Sequence, residues 1–287
     1  YHQQIELLKF LVKKLKLMAA KMRGNIVEMI PPGKVGHLGG SSSICDILSV
    51  LYFYRMKNLD PKNPKKKNRD RLLLSKGHAV LAQYAALVEL GYFGRAELKK
   101  VKTFGGMLQG HPDIDKTPGL EAVTGSLGQG LSISAGIASA LKLDKSGAKV
   151  FCVCGDGELA EGQIWEAAMS TANYKLDNLC LFIDKNEVQA TDAVRAVFPM
   201  TTISGKFAAF GWHVIEIDGH DIPQIIDAVD EADSVKGVPT VIVANTVKGK
   251  GFPFAEGKAQ FHNAALDEKL YKEALNCVEI MKKEASK

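Results

Sequence analysis

No apolar run in the 287-residue chain approaches the ~20 residues that a membrane-spanning helix needs. The opening segment, YHQQIELLKFLVKKLKLMAAKMRGNIVEMI, lacks the uncharged core of a signal peptide, because lysines interrupt it throughout. Cysteine is scarce. The five present are odd in number and have no metal-type spacing, which argues against a zinc module or a disulfide framework and points to a reducing cytoplasm. Cys152 and Cys154 alternate along an apolar run, so they share one strand face and read as small core residues. A strong charge of one sign is also missing: the net charge is +5. Its local excess, DPKNPKKKNRDR (60–71), has no interleaved aromatics for base stacking. Pro61, Pro64 and Asn68 mark turns there. The segment reads as a solvated loop, and no nucleic-acid or membrane partner is expected. Two nucleotide signatures are absent as well. No segment reads G-x-x-x-x-G-K-[ST], and G-x-G-x-x-G fails at Gly128-Gln129-Gly130 because Ile133 stands where the third glycine belongs.

What is there is an ordinary globular composition, 46% hydrophobic and 24% charged. Residues 5–30 read as an amphipathic helix that stops at Pro31-Pro32. GKVGHLGGSSS (33–43) reads as a Gly/Ser loop, followed by a helix over ICDILSVLYFYRM. Short apolar strands are expected at RLLLS, AKVFCVCGDG, NLCLFID, GWHVIEIDG and PTVIVANT, with helices between most of them. Residues 104–119 hold too many Gly and Pro for regular structure. Alternating strands and helices, with strands apolar on both faces, predict an α/β fold: a parallel sheet with helices on both faces. No repeat or low-complexity linker divides the chain, so residues 1–287 are expected to form a single domain.

Ligands of open α/β sheets bind beyond the carboxyl ends of the strands. Two strand ends are notable there. One apolar strand ends in Gly155-Asp156-Gly157, and another, LCLFIDKN, ends on Asn186, 30 positions after Asp156. Asp156 offers a carboxylate, Asn186 a side-chain carbonyl and Val188 a main-chain carbonyl, a hard-oxygen set suited to magnesium shared with a diphosphate. The helix opening after the second glycine would point its free N–H groups at that charge. The bland alternative is a plain strand-ending turn, since isolated GDG is common.

The order of motifs along the chain decides between these readings. GDG followed some thirty residues later by Asn at a strand end resembles the thiamine-diphosphate fingerprint, and GDGELAEGQIWEA resembles its transketolase form. GHLGG (36–40), DRLLLSKGHA (70–79), QGHPD (109–113), TGSLGQGLS (124–132), FGWHVIEIDGHD (210–221) and NTVKGKGF (245–252) are similar to transketolase segments in the family's order, over nearly the whole chain. The resemblance implies a diphosphate-binding domain holding thiamine diphosphate with Mg2+, or Ca2+ or Mn2+ in its place. It implies Asp156, Asn186 and Val188 as metal ligands. It implies cofactor contacts at Lys76, His78, Gly125, Ser126, Leu127, Gly157, Asn186, Lys248 and His262. His37, His111 and His262 resemble the histidines of the substrate channel, and Glu161 the glutamate that links two active sites across a dimer. FHN around His262 departs from the family's WHG. His213 and His220 flank a strand in segments that look structural, Trp165 reads as packing, and Glu166 as interface support.

The implied activity is transfer of a two-carbon ketol unit from a ketose to an aldose, the substrates being sugar phosphates. The family's pyrimidine-activating glutamate lies on a further domain that this sequence does not contain. The expectation is therefore a natural N-terminal subunit of a split transketolase, rather than a truncated piece, working as an α2β2 heterotetramer with a partner chain that carries the pyrimidine-binding and C-terminal domains. Pentose and heptulose phosphates are the default substrates, with a branched or sulfonated ketose the other option. Two other readings stay open. A deoxyxylulose-phosphate-synthase-like or dehydrogenase E1-like chain is opposed by LSKGHA, GHP and Glu161. A non-catalytic cofactor-binding subunit is opposed by the complete metal and histidine set.

Overall fold

The computed structural model describes residues 2–287. Helix α1 (His2–Met29) ends ahead of Pro31-Pro32, as its sequence requires. A two-residue strand β1 (Val35–Gly36), helix α2 (Leu38–Ser42) and helix α3 (Cys45–Val50) follow, and α3 runs on as a π-helical turn through Arg55. Then come β2 (Arg71–Leu74), α4 (Val80–Glu89), α5 (Gln129–Leu143), β3 (Val150–Gly155), α6 (Gly162–Asn173) and β4 (Leu179–Lys185). The chain finishes with α7 (Val194–Val197), α8 (Ile203–Ala209), β5 (His213–Asp218), α9 (Ile222–Ser234), β6 (Thr240–Asn245), β7 (Ala264–Ala265) and α10 (Glu268–Ala285).

The five longer strands form one sheet in the order β2-β3-β4-β6-β5, parallel throughout. Period-two alternation sorts their side chains onto two faces. Phe151, Val153, Phe182 and Ile242 join a core built with α1, α3, α4 and α9. Cys152, Cys154, Leu181, Ile183 and Val243 join a second core built with α5, α6 and α8. The fold is thus a parallel sheet covered by helices on both sides. The edge strand β5 departs from the expected pattern: only Ile217 is buried, whereas the other edge strand, β2, buries Leu72, Leu73 and Leu74. The basic segment 60–71 forms turns with most of its lysines exposed.

GKVGHLGGSSS differs from the expected loop. Leu38–Ser42 is helical and buried, and Ser42 Oγ donates back to the Leu38 carbonyl at 2.9 Å. Gly and Ser disfavour a free helix, but tertiary packing overrides them here. β1 pairs antiparallel with β7, Val35 with Ala265 and Gly36 with Ala264, a contact between distant segments that local pattern does not reveal.

Register brings the strand ends level. Gly155 pairs with Asp184, and Asp184 with Ala244, so β3, β4 and β6 terminate side by side. The segment after β2 is pinned beside them by the start of α5. Gly130 N donates to Ser75 Oγ at 3.1 Å, and a Cβ on Gly130 would lie 2.4 Å from Ser75 Cβ. Gly130→Ala should therefore cost about 1–3 kcal/mol of stability, read as a lowered urea midpoint at unchanged m-value. An unshifted midpoint would show that this approach is not tight.

Candidate active site

The strand ends converge on a cavity of about 170 Å3 that Lys76, His78, Asp156, Asn186, Lys248 and His262 help to line. Gly157, Val188 and Leu127 also face it. Asp156 is buried; Oδ1 accepts the Gly157 N–H at 2.9 Å and Oδ2 the Glu187 N–H at 2.6 Å. Glu187 adopts φ +61, an uncommon conformation for a non-glycine residue. It lies between two of the proposed oxygen donors, Asn186 and Val188. Asn186 Oδ1 accepts the Val188 N–H at 3.1 Å, and Lys248 Nζ donates to the Val188 carbonyl at 2.8 Å.

Two buried acids that sequence reasoning did not single out organise these groups. Asp184, fully buried at the end of β4, accepts from Lys76 Nζ at 2.5 Å, Ser43 Oγ at 2.8 Å and Asn186 Nδ2 at 2.8 Å, and also from Thr246 Oγ1. Burial alone would raise its pKa, but the Lys76 charge and these hydrogen bonds hold it below the usual carboxylate value. Glu158 accepts from Ser75 Oγ, from Gly128 N at 2.8 Å and from Gly155 N at 3.1 Å, tying three of the expected cofactor segments together. Burial pushes its pKa up against those bonds. An acid within an otherwise apolar strand, as in LCLFIDKN, was the available signal for Asp184. Lys76, expected to face a diphosphate, spends its ammonium on Asp184 and on the Gly40 carbonyl at 2.8 Å, which leaves it one N–H.

Burial and the neighbouring Asp184 charge push the Asp156 pKa up to about 6. Lys248 is lowered to about 8 by burial and by Lys76. The donor set is one carboxylate, one amide oxygen and one main-chain carbonyl, the hard-oxygen chemistry that Mg2+, Ca2+ or Mn2+ takes. A cation beside Asp156 would offset the repulsion from Asp184, so these residues fit a divalent metal. Among the described residues no group of three or more His, Cys, Asp or Glu side chains forms a metal cluster.

Four histidines from distant segments stand together. Ring centroids are 5.2 Å apart for His37 and His78, 5.4 Å for His37 and His262, 4.7 Å for His78 and His262, and 6.2 Å for His37 and His111. The β1–β7 pairing explains His262: His37 follows β1 and His262 precedes β7, so the ribbon sets them side by side despite the FHN departure. Lys248 Nζ lies 2.8 Å from His262 Nδ1. His111 rests on Gly125, whose φ of +146 and lack of Cβ leave room for the ring; a Cβ there would meet His111 Cδ2 at 2.8 Å. Burial, joined by nearby histidines and lysines, lowers His37 to about 3, and burial with Lys248 and Lys76 lowers His262 to about 4. It also lowers His78 and His111.

Some expected residues stay apart. Ser126 is exposed beside Leu127. Glu161 is exposed at the start of α6 and makes no side-chain cap, although it packs close to Gly128. Glu166 is also exposed. His213 pairs with Glu231 at 2.7 Å and His220 with Asp46 at 2.8 Å, both away from the cluster. Trp165 stacks near Phe207 and donates to the Leu159 carbonyl at 2.8 Å.

This arrangement has close relatives among known proteins. Residues 15–276 match the family described as the transketolase, thiamine diphosphate binding domain. The chain belongs to the transketolase family. It is 44% identical over 261 residues to the 6-deoxy-6-sulfo-D-fructose transketolase subunit of Clostridium sp. (strain MSTE9), covering 91% of this chain and 94% of that protein. It is 39% identical over 264 residues to an apulose-4-phosphate transketolase subunit of Phocaeicola vulgatus, covering 92% and 93%. The crystal structure of transketolase from Campylobacter jejuni superposes with a TM-score of 0.86 at 32% identity, covering 94% of this chain and 45% of that one. The chain thus spans nearly the full length of separate transketolase subunits and less than half of a one-chain transketolase.

The lowered histidine pKa values carry a sign. Only the unfolded chain takes up these protons just below the ordinary value of 6.5, so stability falls as pH drops below it. The His37 and His262 rings should show no protonation step in NMR from about pH 7 to about pH 5.5, below the range in which Lys248 loses its proton. A midpoint near the ordinary value for either ring would refute the burial argument.

Proposed function

We propose that this chain, read as one diphosphate-binding domain, is the N-terminal subunit of a two-subunit transketolase that acts in the cytoplasm. The observation that carries this is the meeting of Asp156, Asn186, Val188, Lys248 and four neutral histidines at the carboxyl ends of β3, β4 and β6. Asp156, Asn186 and the Val188 carbonyl would hold a divalent cation, magnesium by default, which would neutralise diphosphate oxygens. When bound, thiamine diphosphate supplies the nucleophilic carbon and the electron sink for breaking and remaking a ketose carbon–carbon bond. Lys248 and His78 bind the diphosphate, and Gly157 and Leu127 shape its pocket.

The histidines act on substrate. A neutral imidazole has one donor and one acceptor nitrogen, which suits the hydroxyl-rich carbons of a sugar. His111 donates to the oxygen on which charge develops in the ketose, and His37 and His262 serve the acceptor aldehyde. Neutral rings can give this hydrogen bond without holding a full charge in a half-buried site. The five free cysteines, four of them buried, suit a reducing compartment.

The pyrimidine activator is assigned to a partner chain, two copies of each forming an α2β2 heterotetramer. Glu161, exposed at the head of α6, would then link the two sites across the assembly. The relatives of similar length are named for a sulfonated ketose and for apulose 4-phosphate. An anionic ketose, phosphate or sulfonate, is accordingly the proposed donor class, with pentose phosphates the first to try.

The test mixes the chain with the partner encoded beside it and assays ketol transfer from each such ketose. Transfer from pyruvate instead, or full activity of this chain alone, would overturn the reading. Two variants refine it. Asp156→Ala should abolish metal-dependent cofactor binding by the complex; calorimetric affinity unchanged with and without EDTA would remove Asp156 from the metal site. His111→Ala should lower turnover by roughly 10²-fold, the scale of losing an aimed donor, at nearly constant cofactor affinity. Turnover within about threefold of the parent would place His111 outside the channel.

A further inference from the structure

Behind the cavity, the turn that carries Lys248 is held by a network around the buried Asp46 that includes none of the residues assigned above. Asp46 lies in the first turn of α3 and is buried. Arg23 of α1 reaches it through Nη1 at 3.2 Å and Nη2 at 2.6 Å. His220, in the turn after β5, places Nδ1 2.8 Å from Asp46 Oδ2. Both cationic or ring partners then extend to the backbone of the same turn. His220 Nε2 accepts the Val247 N–H at 2.9 Å, and Arg23 Nε donates to the Lys250 carbonyl at 3.1 Å.

One carboxylate thus fixes the turn on both sides of Lys248-Gly249. The histidine tautomer follows from its partners. A nitrogen that accepts from an amide carries no proton, so Nε2 is bare and the ring proton sits on Nδ1, facing Asp46. Across the turn, Lys248 Nζ reaches the Val188 carbonyl and His262 Nδ1, both at 2.8 Å. Gly249 N donates to the Gly39 carbonyl at 3.0 Å. A shift of the Val247 amide therefore passes straight to the lysine that spans the metal-side loop and the histidine cluster.

We propose that Asp46 and His220 are positioning residues for Lys248, the imidazole serving as a rigid spacer between a buried carboxylate and the Val247 amide. The proposal rests on Lys248 contacting a diphosphate, and its test separates the two claims. His220→Asn keeps a donor toward Asp46 but is too short to accept from Val247, whereas His220→Gln can reach that amide with its side-chain oxygen. If the Asn variant does not fold, His220→Leu, of similar bulk, takes its place with the same expected readings.

In the assembled enzyme, calorimetric titration with thiamine diphosphate at saturating magnesium should show about tenfold weaker binding for His220→Asn, the scale of losing a partner that orients a ligand-binding group. His220→Gln should recover most of it. Lys248→Met should weaken binding too, and the double variant His220→Asn/Lys248→Met should be no weaker than Lys248→Met alone. Fully additive losses would mean that His220 acts elsewhere, and would overturn the proposal. Amide exchange in the cofactor-free chain gives the second reading. Val247 and Gly249 should exchange at least about tenfold faster in His220→Asn than in the parent, with α4 unchanged. Unchanged exchange at Val247 overturns the clamp whatever the cofactor proves to be. Faster exchange, with no thiamine diphosphate bound even by the parent enzyme, supports the clamp and overturns the function proposed for Lys248.

Discussion

The buried ion pair between Asp184 and Lys76 is the contact on which the rest of the site depends. Both side chains are almost wholly out of solvent and meet at 2.5 Å. A buried pair gains little over a well-packed apolar substitute, but removal of one partner strands the other charge at a cost of about 3–5 kcal/mol. The pair is therefore better understood through what it positions. Asp184 takes donors from the α2–α3 junction through Ser43, from the segment after β2 through Lys76, from the turn after β6 through Thr246, and from its own strand end through Asn186. Three chain segments that carry expected cofactor contacts, and the one that follows His37, are held to one carboxylate.

The same pair sets the electrostatics of the cavity. Burial, helped by the Asp184 charge, pushes the Asp156 pKa up, and burial, helped by the Lys76 charge, pushes that of Lys248 down. Charges of both signs are thus present and incompletely neutralised. A dication and a diphosphate entering together would meet both needs, the first at Asp156 and the second at Lys248. The nearby lysines, with burial the larger cause, also keep the histidines uncharged, so the rings present hydrogen-bond donors and acceptors instead of a further block of positive charge.

Much of this was legible in the sequence, for physical reasons that differ by element. The central strands were readable because residues apolar on both faces have few alternatives to a covered parallel sheet, and Asp156 and Asn186 stood out as polar groups at the ends of such runs. The histidines were readable only through their motifs; no local pattern says that His37 and His262 lie 5.4 Å apart. That proximity comes from a two-residue ribbon whose strands are separated by most of the chain. Leu38–Ser42 read as a loop because its glycines and serines lack helix propensity, and the burial that overrides propensity is a tertiary property. Asp184 and Glu158 were missed for a related reason. Their importance lies in the number of donors they collect, which depends on segments distant in sequence.

The positions of Asp184 and Asp46 explain why Lys248 belongs to a turn and not to a strand. Asp184 anchors the front of the segment after β6 through Thr246, while Asp46 anchors its back through His220 and Arg23. A strand residue takes its place from the sheet register, which a parallel sheet fixes for all its members at once. Lys248 must meet two loops that belong to different layers, the Val188 turn beyond β4 and the His262 segment beside β7, and no strand register satisfies both. A short turn held at each flank by a buried carboxylate gives the lysine a position independent of the sheet. Ordered turns of this kind give a flexible side chain the placement that a charged site requires, because the entropy of the backbone has already been lost in folding.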